Sequence, residues 1–345
     1  MYDHSADLVR LYLPLLNHAQ EDVRRQAYTV LMCAAGRGAL VALRHLVQGA
    51  DPEARRQAQQ AISVIASFEG ADVKVQSSPG LYVTCLGSLR LSIAGRWIEM
   101  RDWSPAEGGR AGWQKVHAVF GFLVHSGRHG TTRRALGEAV WGAAASGSSL
   151  ARTLSTLRQA LVRAGGEEAV DRALVLNDDY CRLDPASYSS DVAVFERVYS
   201  LASDVELSEG LAAAVPLYAQ ALDLYTGPYM ADVLPGSGWM RPQRELLASY
   251  AIIAAERLAE AAYERGDFRR CVLICLQALG ADPTADDIVI WMLRAYARLG
   301  HYGELEFAYR SYLQAAGIAP GEAATHQDAV LQTYEELVRA RSVNE

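Results

Sequence analysis

Ser148–Arg163, SSLARTLSTLRQALVR, is the stretch on which the fold turns. Leu150, Leu154, Leu157 and Leu161 recur at helical spacing and form one apolar stripe, which must pack against a core. The opposite side carries Arg152, Thr153, Thr156, Gln159 and Arg163, flanked by Ser155 and Arg158. These side chains are able to read base edges. Arginine pairs bidentately with guanine, glutamine with adenine, and the threonine methyl meets the methyl of thymine. The same composition also suits the solvated face of an ordinary helix, so the surrounding elements decide between the two.

Working outward, a helix is expected at about 113–126, with Val116, Val119, Phe120 and Leu123 on its inner side, stopped by Gly127–Gly130. Thr131 or Thr132 is expected to cap a second helix carrying Leu136, Val140 and Trp141. Residues 142–147 form a small-residue connection, and Ser148 or Ser149 should cap the helix described above. Downstream, Ala173–Leu176 and Tyr180–Leu183 flank Asn177-Asp178-Asp179 and read as a hairpin. Upstream, Leu81–Leu86, Leu89–Ile93 and Arg96–Ile98 alternate with turn formers and predict a small antiparallel sheet. Sheet, three helices and closing hairpin, over 81–185, follow the plan of a winged helix-turn-helix, a shape that places one helix in the DNA major groove.

Both flanks repeat. Arg24-Arg25-Gln26-Ala27 recurs as Arg55-Arg56-Gln57-Ala58, a period of 31 residues, each copy opening an amphipathic helix. Residues 1–70 therefore read as stacked helical hairpins that resemble HEAT-type repeats, with plain helical packing as the alternative. Residues 69–80 lack periodicity, and 71–80 read as a linker. Beyond Pro185 the chain is helical. Gly266-Asp267-Phe268 and Gly300-His301-Tyr302 lie 34 residues apart, with Ala261 and Ala295 at matching positions, a tetratricopeptide (TPR-like) pattern over 186–341. The expected fold class is thus mainly α with a small β component: N-terminal helical repeats, a winged helix-turn-helix and a C-terminal TPR-like array.

Composition narrows the function. The net charge of −7 is unevenly spread, being balanced over 1–79, +3 over 80–185 and −10 over 186–345. Distribution rather than the sum bears on nucleic-acid binding, and the positive section is the winged-helix one. No run approaches the length of a membrane span, and no basic segment leads into an apolar run at the N-terminus. The five cysteines are scattered and odd in number, which fits a reducing cytoplasm rather than a disulfide framework. No phosphate-binding loop, nucleotide fingerprint or zinc-protease helix is present, so neither enzymatic activity nor a cofactor or metal is expected. Cys271 and Cys275 share a helix face and are expected as core thiols. His117, His125 and His129 are expected in packing and capping roles.

Several local patterns carry a family resemblance. Cys85-Leu86-Gly87 is similar to an opening strand, Leu136–Trp141 to a second helix ending in an aliphatic residue and Trp, and Leu154–Leu161 to a recognition helix. Asp191–Glu196, Leu224–Tyr229 and Tyr309–Gly321 are similar to segments of an activator domain. In this order, residues 81–340 resemble the antibiotic-regulatory (SARP/AfsR) family of bacterial activators, which join an OmpR-type winged helix to a bacterial transcriptional activator domain. The wing departs from the family, whose Gly-Tyr turn and basic residues are replaced here by Asn177-Asp178-Asp179.

The sequence therefore predicts a cytoplasmic DNA-binding transcriptional regulator. Arg152, Thr153, Ser155, Thr156, Arg158 and Gln159 are expected at base edges, and Arg128, Arg133, Arg134, Arg163 and Arg182 at phosphates, the start of the second helix offering free N–H groups. The expected partners are double-stranded DNA, a second copy of the chain as a homodimer and, by the resemblance, RNA polymerase at residues 142–147; no membrane is expected. A rival reading is a protein-interaction scaffold whose winged helix no longer binds DNA. A third places a small molecule between the N-terminal array and the winged helix.

Overall fold

A computed structural model describes residues 4–344 except 36, 50, 71–80, 94–95, 99–101, 104–109, 143–146, 185–186, 234–237 and 320–328. The linker expected at 71–80 lies outside the described residues, as do 143–146 of the connection expected to meet RNA polymerase. The chain is mostly helical with two small sheets, as the sequence predicts. It divides into two compact units, Met1–Phe195 with Tyr229–Arg244, and Glu196–Pro228 with Glu245–Glu345. This grouping differs from the expected segments 1–70, 81–185 and 186–341.

The first unit opens on α1 (His4–Leu16), α2 (Glu21–Ala35), α3 (Arg37–Gln48) and α4 (Pro52–Gly70). The 31-residue period has a physical counterpart. Arg24 donates to the carbonyls of His18 (2.7 Å) and Ala19 (2.6 Å), and Arg55 donates to that of Gly49 (2.8 Å). Each guanidinium satisfies carbonyls of the turn leading into its own helix, which is why arginine recurs early in α2 and α4. Val23, Ala27, Val30, Leu31, Ala58 and Ile65 are buried.

Next come β1 (Leu81–Thr84), β2 (Arg90–Ile93), β3 (Arg96–Trp97), α5 (Arg110–Ser126), β4 (Thr131–Thr132), α6 (Arg133–Trp141), α7 (Gly147–Gly165), α8 (Glu167–Ala173), β5 (Leu174–Leu176), β6 (Tyr180–Leu183), β7 (Tyr188–Ser190) and the start of α9 (Asp191–Glu209). The first three strands pair antiparallel, as expected. An unexpected strand joins them: β7 runs parallel to β1, with Leu81 opposite Tyr188 and Val83 opposite Ser190, giving the order β3-β2-β1-β7. Both faces of β1 are buried. Tyr82 points to the N-terminal helices, where its hydroxyl meets that of Tyr12 at 2.9 Å in the interior. On the other face, Ile93 lies against Gly165 at the end of α7.

The turn between β1 and β2 is clamped. Asp191 accepts from the amides of Cys85 (2.8 Å), Leu86 (3.0 Å) and Val192 (2.8 Å), and Asp232 accepts from that of Leu89 (2.7 Å). In return the amides of Met230 and Ala231 donate to the carbonyls of Cys85 and Gly87, both at 2.7 Å. Met230 adopts a left-handed conformation (φ 49°), unusual for a side chain of its size. It is fully buried beside Gly121 of α5, where an added Cβ would sit 2.9 Å from Leu89 and 3.3 Å from the Met230 sulfur. Glycine at 121 permits that approach.

The second unit holds the rest of α9 with α10 (Leu211–Leu224), α11 (Arg241–Glu264) from Glu245 onward, α12 (Phe268–Leu279), α13 (Asp286–Leu299), α14 (Tyr302–Ala316) and α15 (Ala329–Asn344). α12 and α14 start 34 residues apart, after Gly266 and Gly300 with φ of 77° and 74°, and Ala261 and Ala295 are both buried. Cys271 and Cys275 are buried, unbridged thiols in α12, as expected of core residues.

Burial pushes the Asp191 carboxyl up to about 6 from an ordinary 3.8, against the amides that stabilise its charge. A folded-state value above the unfolded one means that the native state binds the extra proton between those limits. That part of the stability is full below about pH 4 and is lost as pH rises through 6. In urea unfolding, the stability difference between the parent and Asp191→Asn should shift in favour of the variant from pH 4.5 to 7. Asp191→Ala should be more destabilised than Asp191→Asn at every pH, because it strands buried amides at roughly 1–3 kcal/mol each. A pH-independent difference would refute the buried titration.

Candidate nucleic-acid interface

α7 carries most of the expected site. Leu150, Leu154, Leu157 and Leu161 are buried with Ala160, and each leucine contributes roughly 2 kcal/mol by leaving water. The helix begins at Gly147, so Ser148 and Ser149 lie inside its first turn rather than capping it. Ser148, Ala151, Arg152, Ser155, Gln159 and Arg163 are exposed, whereas Thr153, Thr156 and Arg158 are half-buried.

The half-buried three are engaged locally. Thr153 donates to the Ser149 carbonyl (2.9 Å) and Thr156 to that of Arg152 (3.0 Å). Arg158 reaches α8, where it meets Asp171 at 2.6 Å and Glu167 at 3.3 Å. The sequence reading did not contain α8. Its signal was Glu167-Glu168 directly after Gly165-Gly166, an acidic first turn following a helix stop. Arg152, Ser155 and Gln159 have side chains in no hydrogen bond among the described residues.

The expected phosphate ligands are divided. β4, β6 and β5 form the second sheet, and the hairpin turn is built as expected, with the Tyr180 amide donating to Asn177 Oδ1 (2.7 Å). This turn is tied to the start of α6: Arg133 Nε donates to the Asn177 carbonyl (2.7 Å) and the Arg133 amide to that of Asp179 (3.0 Å). Thr132 caps α6 by accepting from the Ala135 amide (3.1 Å). The Arg133 amide, at the helix start expected to offer free N–H groups, thus already has an acceptor, as does the Ala135 amide beyond it. Arg134 is exposed and pairs with Glu138 (2.9 Å), and Arg128 is exposed on the turn after α5. Arg182 is half-buried on β6, its Nε without an acceptor among the described residues. Arg163 donates to the Asp102 carbonyl (2.9 Å), away from the hairpin.

Histidines here are structural. His117 Nε2 donates to the Leu89 carbonyl (2.8 Å) from a buried position. His125 packs against Trp239 and Tyr229, and burial lowers its pKa. Lys115 donates to the Val140 carbonyl (2.6 Å) and lies over the Trp141 ring, fastening α5 to the end of α6. Among the described residues no group of three or more His, Cys, Asp or Glu is arranged to hold a metal, and no helix is long and apolar enough to cross a membrane.

Residues 190–331 match the bacterial transcriptional activator domain. This match spans under half of the chain, and it points to a transcriptional regulator. The activator domain begins one residue before Asp191, so the residue that clamps the β1–β2 turn lies within it. Among solved structures, EmbR of Mycobacterium tuberculosis in complex with a low-affinity phosphopeptide is similar, at 20% identity and a TM-score of 0.56. The similarity covers 75% of this chain and 65% of EmbR, so the chain spans less than two thirds of that structure's length, and it is a likeness of fold. No curated protein matches the sequence.

Gly130 holds the hairpin side of the site. Its φ is 58°, and a Cβ there would collide with the Tyr180 hydroxyl and the Cys181 carbonyl, breaking the hydrogen bond from Tyr180 to the His129 carbonyl. Gly130→Ala should lower thermal stability by roughly 1–3 kcal/mol and speed amide exchange at Thr131 and Cys181. Parent-like exchange at those two amides would contradict the packing described.

Proposed function

We propose that this protein is a DNA-binding transcriptional regulator, most simply an activator, whose residues 81–185 act as a winged helix with α7 in the major groove. The observation that carries the reading is the free line Arg152–Ser155–Gln159 on a helix whose other side is sunk in a leucine core. Arg128, Arg182 and, once it leaves Glu138, Arg134, with Arg133 and Arg163 after rearrangement, supply the phosphate contacts that fix register without reading sequence. The activator-domain match supports the regulatory role; a cytoplasmic location and a contact with RNA polymerase through residues 142–147 are part of the proposal and rest on the family resemblance. The TPR-like helices serve dimerisation or signal input, and the HEAT-like helices brace the sheet from behind. No catalytic step is assigned to any residue.

The scaffold reading is favoured by one observation. Asp178 and Asp179 stand exposed at the hairpin tip, where a phosphate would be repelled. Salt separates the two readings. Three to five phosphate contacts give a log–log slope of affinity against salt of about −2.7 to −4.5. Fluorescence anisotropy of the full chain with duplexes selected from the host genome should yield that slope, and Arg152→Glu should abolish the specific complex. Absent or salt-insensitive binding by folded protein would select the scaffold.

A further inference from the structure

We infer that the DNA half-site this protein recognises presents a guanine and an adenine three base-pair steps apart, read by Arg152 and Gln159, and that Arg158 positions the reading helix instead of contacting a base. This rests on the DNA-binding reading above and adds to it which side chains discriminate and what they discriminate.

The geometry of α7 limits the choice. Of the six residues expected at base edges, Thr153 and Thr156 are half-buried, with their hydroxyl protons committed to carbonyls one turn back, and Arg158 is half-buried and committed to two carboxylates. Swinging Arg158 to a guanine would break both ion pairs. It would also leave Glu167 and Asp171 unpaired beside a phosphate backbone, which like-charge repulsion opposes. Arg152, Ser155 and Gln159 remain, all exposed and on one line of the helix.

Arg152 and Gln159 are seven residues apart, about 10.5 Å along the axis at 1.5 Å per residue. Three base-pair steps of about 3.4 Å span nearly the same length. The arginine fork matches O6 and N7 of guanine, and the glutamine amide matches N6 and N7 of adenine. Ser155 lies between them and both donates and accepts, so it tolerates several bases. Ala151, exposed beside Arg152 and absent from the sequence-based set, offers a methyl to a thymine next to the guanine.

The test is selection from a random-core duplex library by the full chain and by Arg152→Ala, Gln159→Ala, Arg158→Ala and Arg158→Lys, each checked by circular dichroism and thermal melting. The parent should enrich guanine and adenine at the stated spacing. Arg152→Ala should lose the guanine preference alone and Gln159→Ala the adenine preference alone, each weakening the parent site about tenfold. Arg158→Ala should melt earlier yet select the parent motif, with Arg158→Lys restoring the melting temperature. A changed base preference in Arg158→Ala overturns the inference. So does an unchanged motif in both Arg152→Ala and Gln159→Ala while the steep salt slope persists, and that outcome leaves DNA binding itself standing. If folded parent protein binds no duplex, both readings fall.

Discussion

A buried carboxylate, Asp191, governs the first unit. Where β1 leaves the sheet after Thr84, the amides of Cys85 and Leu86 lose their ladder partners in a region closed to water, and buried donors left unpaired are costly. Asp191 accepts from both and from the first amide of its own helix. Asp232 does the same for Leu89. Residues 85–89 are therefore satisfied largely by side chains and backbone from more than a hundred residues downstream. Desolvating a carboxylate is unfavourable in itself, and its raised pKa records that strain.

The clamp bears on α7 through α5. His117 holds the Leu89 carbonyl, and Gly121 admits Leu89 and the Met230 sulfur to the helix surface. α5 also supports the leucine side of α7, and Lys115 pins it to α6. The orientation of the exposed α7 line is consequently set by contacts that never touch it. Residues that the sequence marks separately, Cys85-Leu86-Gly87, Asp191 and Tyr229, meet at this turn, as in the bridge between Leu86 and Tyr229.

Much of this was legible in the residues. Leucines at helical spacing identified α7 and its buried side, and Asn177 with its neighbouring aspartates identified the hairpin, because both signals are local. The paired arginines 31 residues apart were legible for the same reason, each answering carbonyls only six residues back. What escaped was non-local or short. β7 is three polar-leaning residues with no alternation, and its partner β1 is over a hundred positions away. α8 spans seven residues behind two glycines. Arg158 looked free because its carboxylates stand nine and thirteen residues on, past the reach of helix-spacing rules. The cover over Tyr82 was equally invisible, since an all-buried strand reads like any apolar run.

The parallel pairing of β7 with β1 has an implication for biogenesis. A chain emerging N-terminus first from the ribosome exposes the β1 edge long before its mate is made, and the Asp232 contact arrives later still. A polypeptide stalled or cleaved at residue 185 would therefore carry a naked strand edge and unsatisfied amides, an invitation to borrow the missing strand from a neighbouring molecule. Excising the segment 81–185 alone would remove the parallel partner of β1 and the acceptors of the Cys85, Leu86 and Leu89 amides.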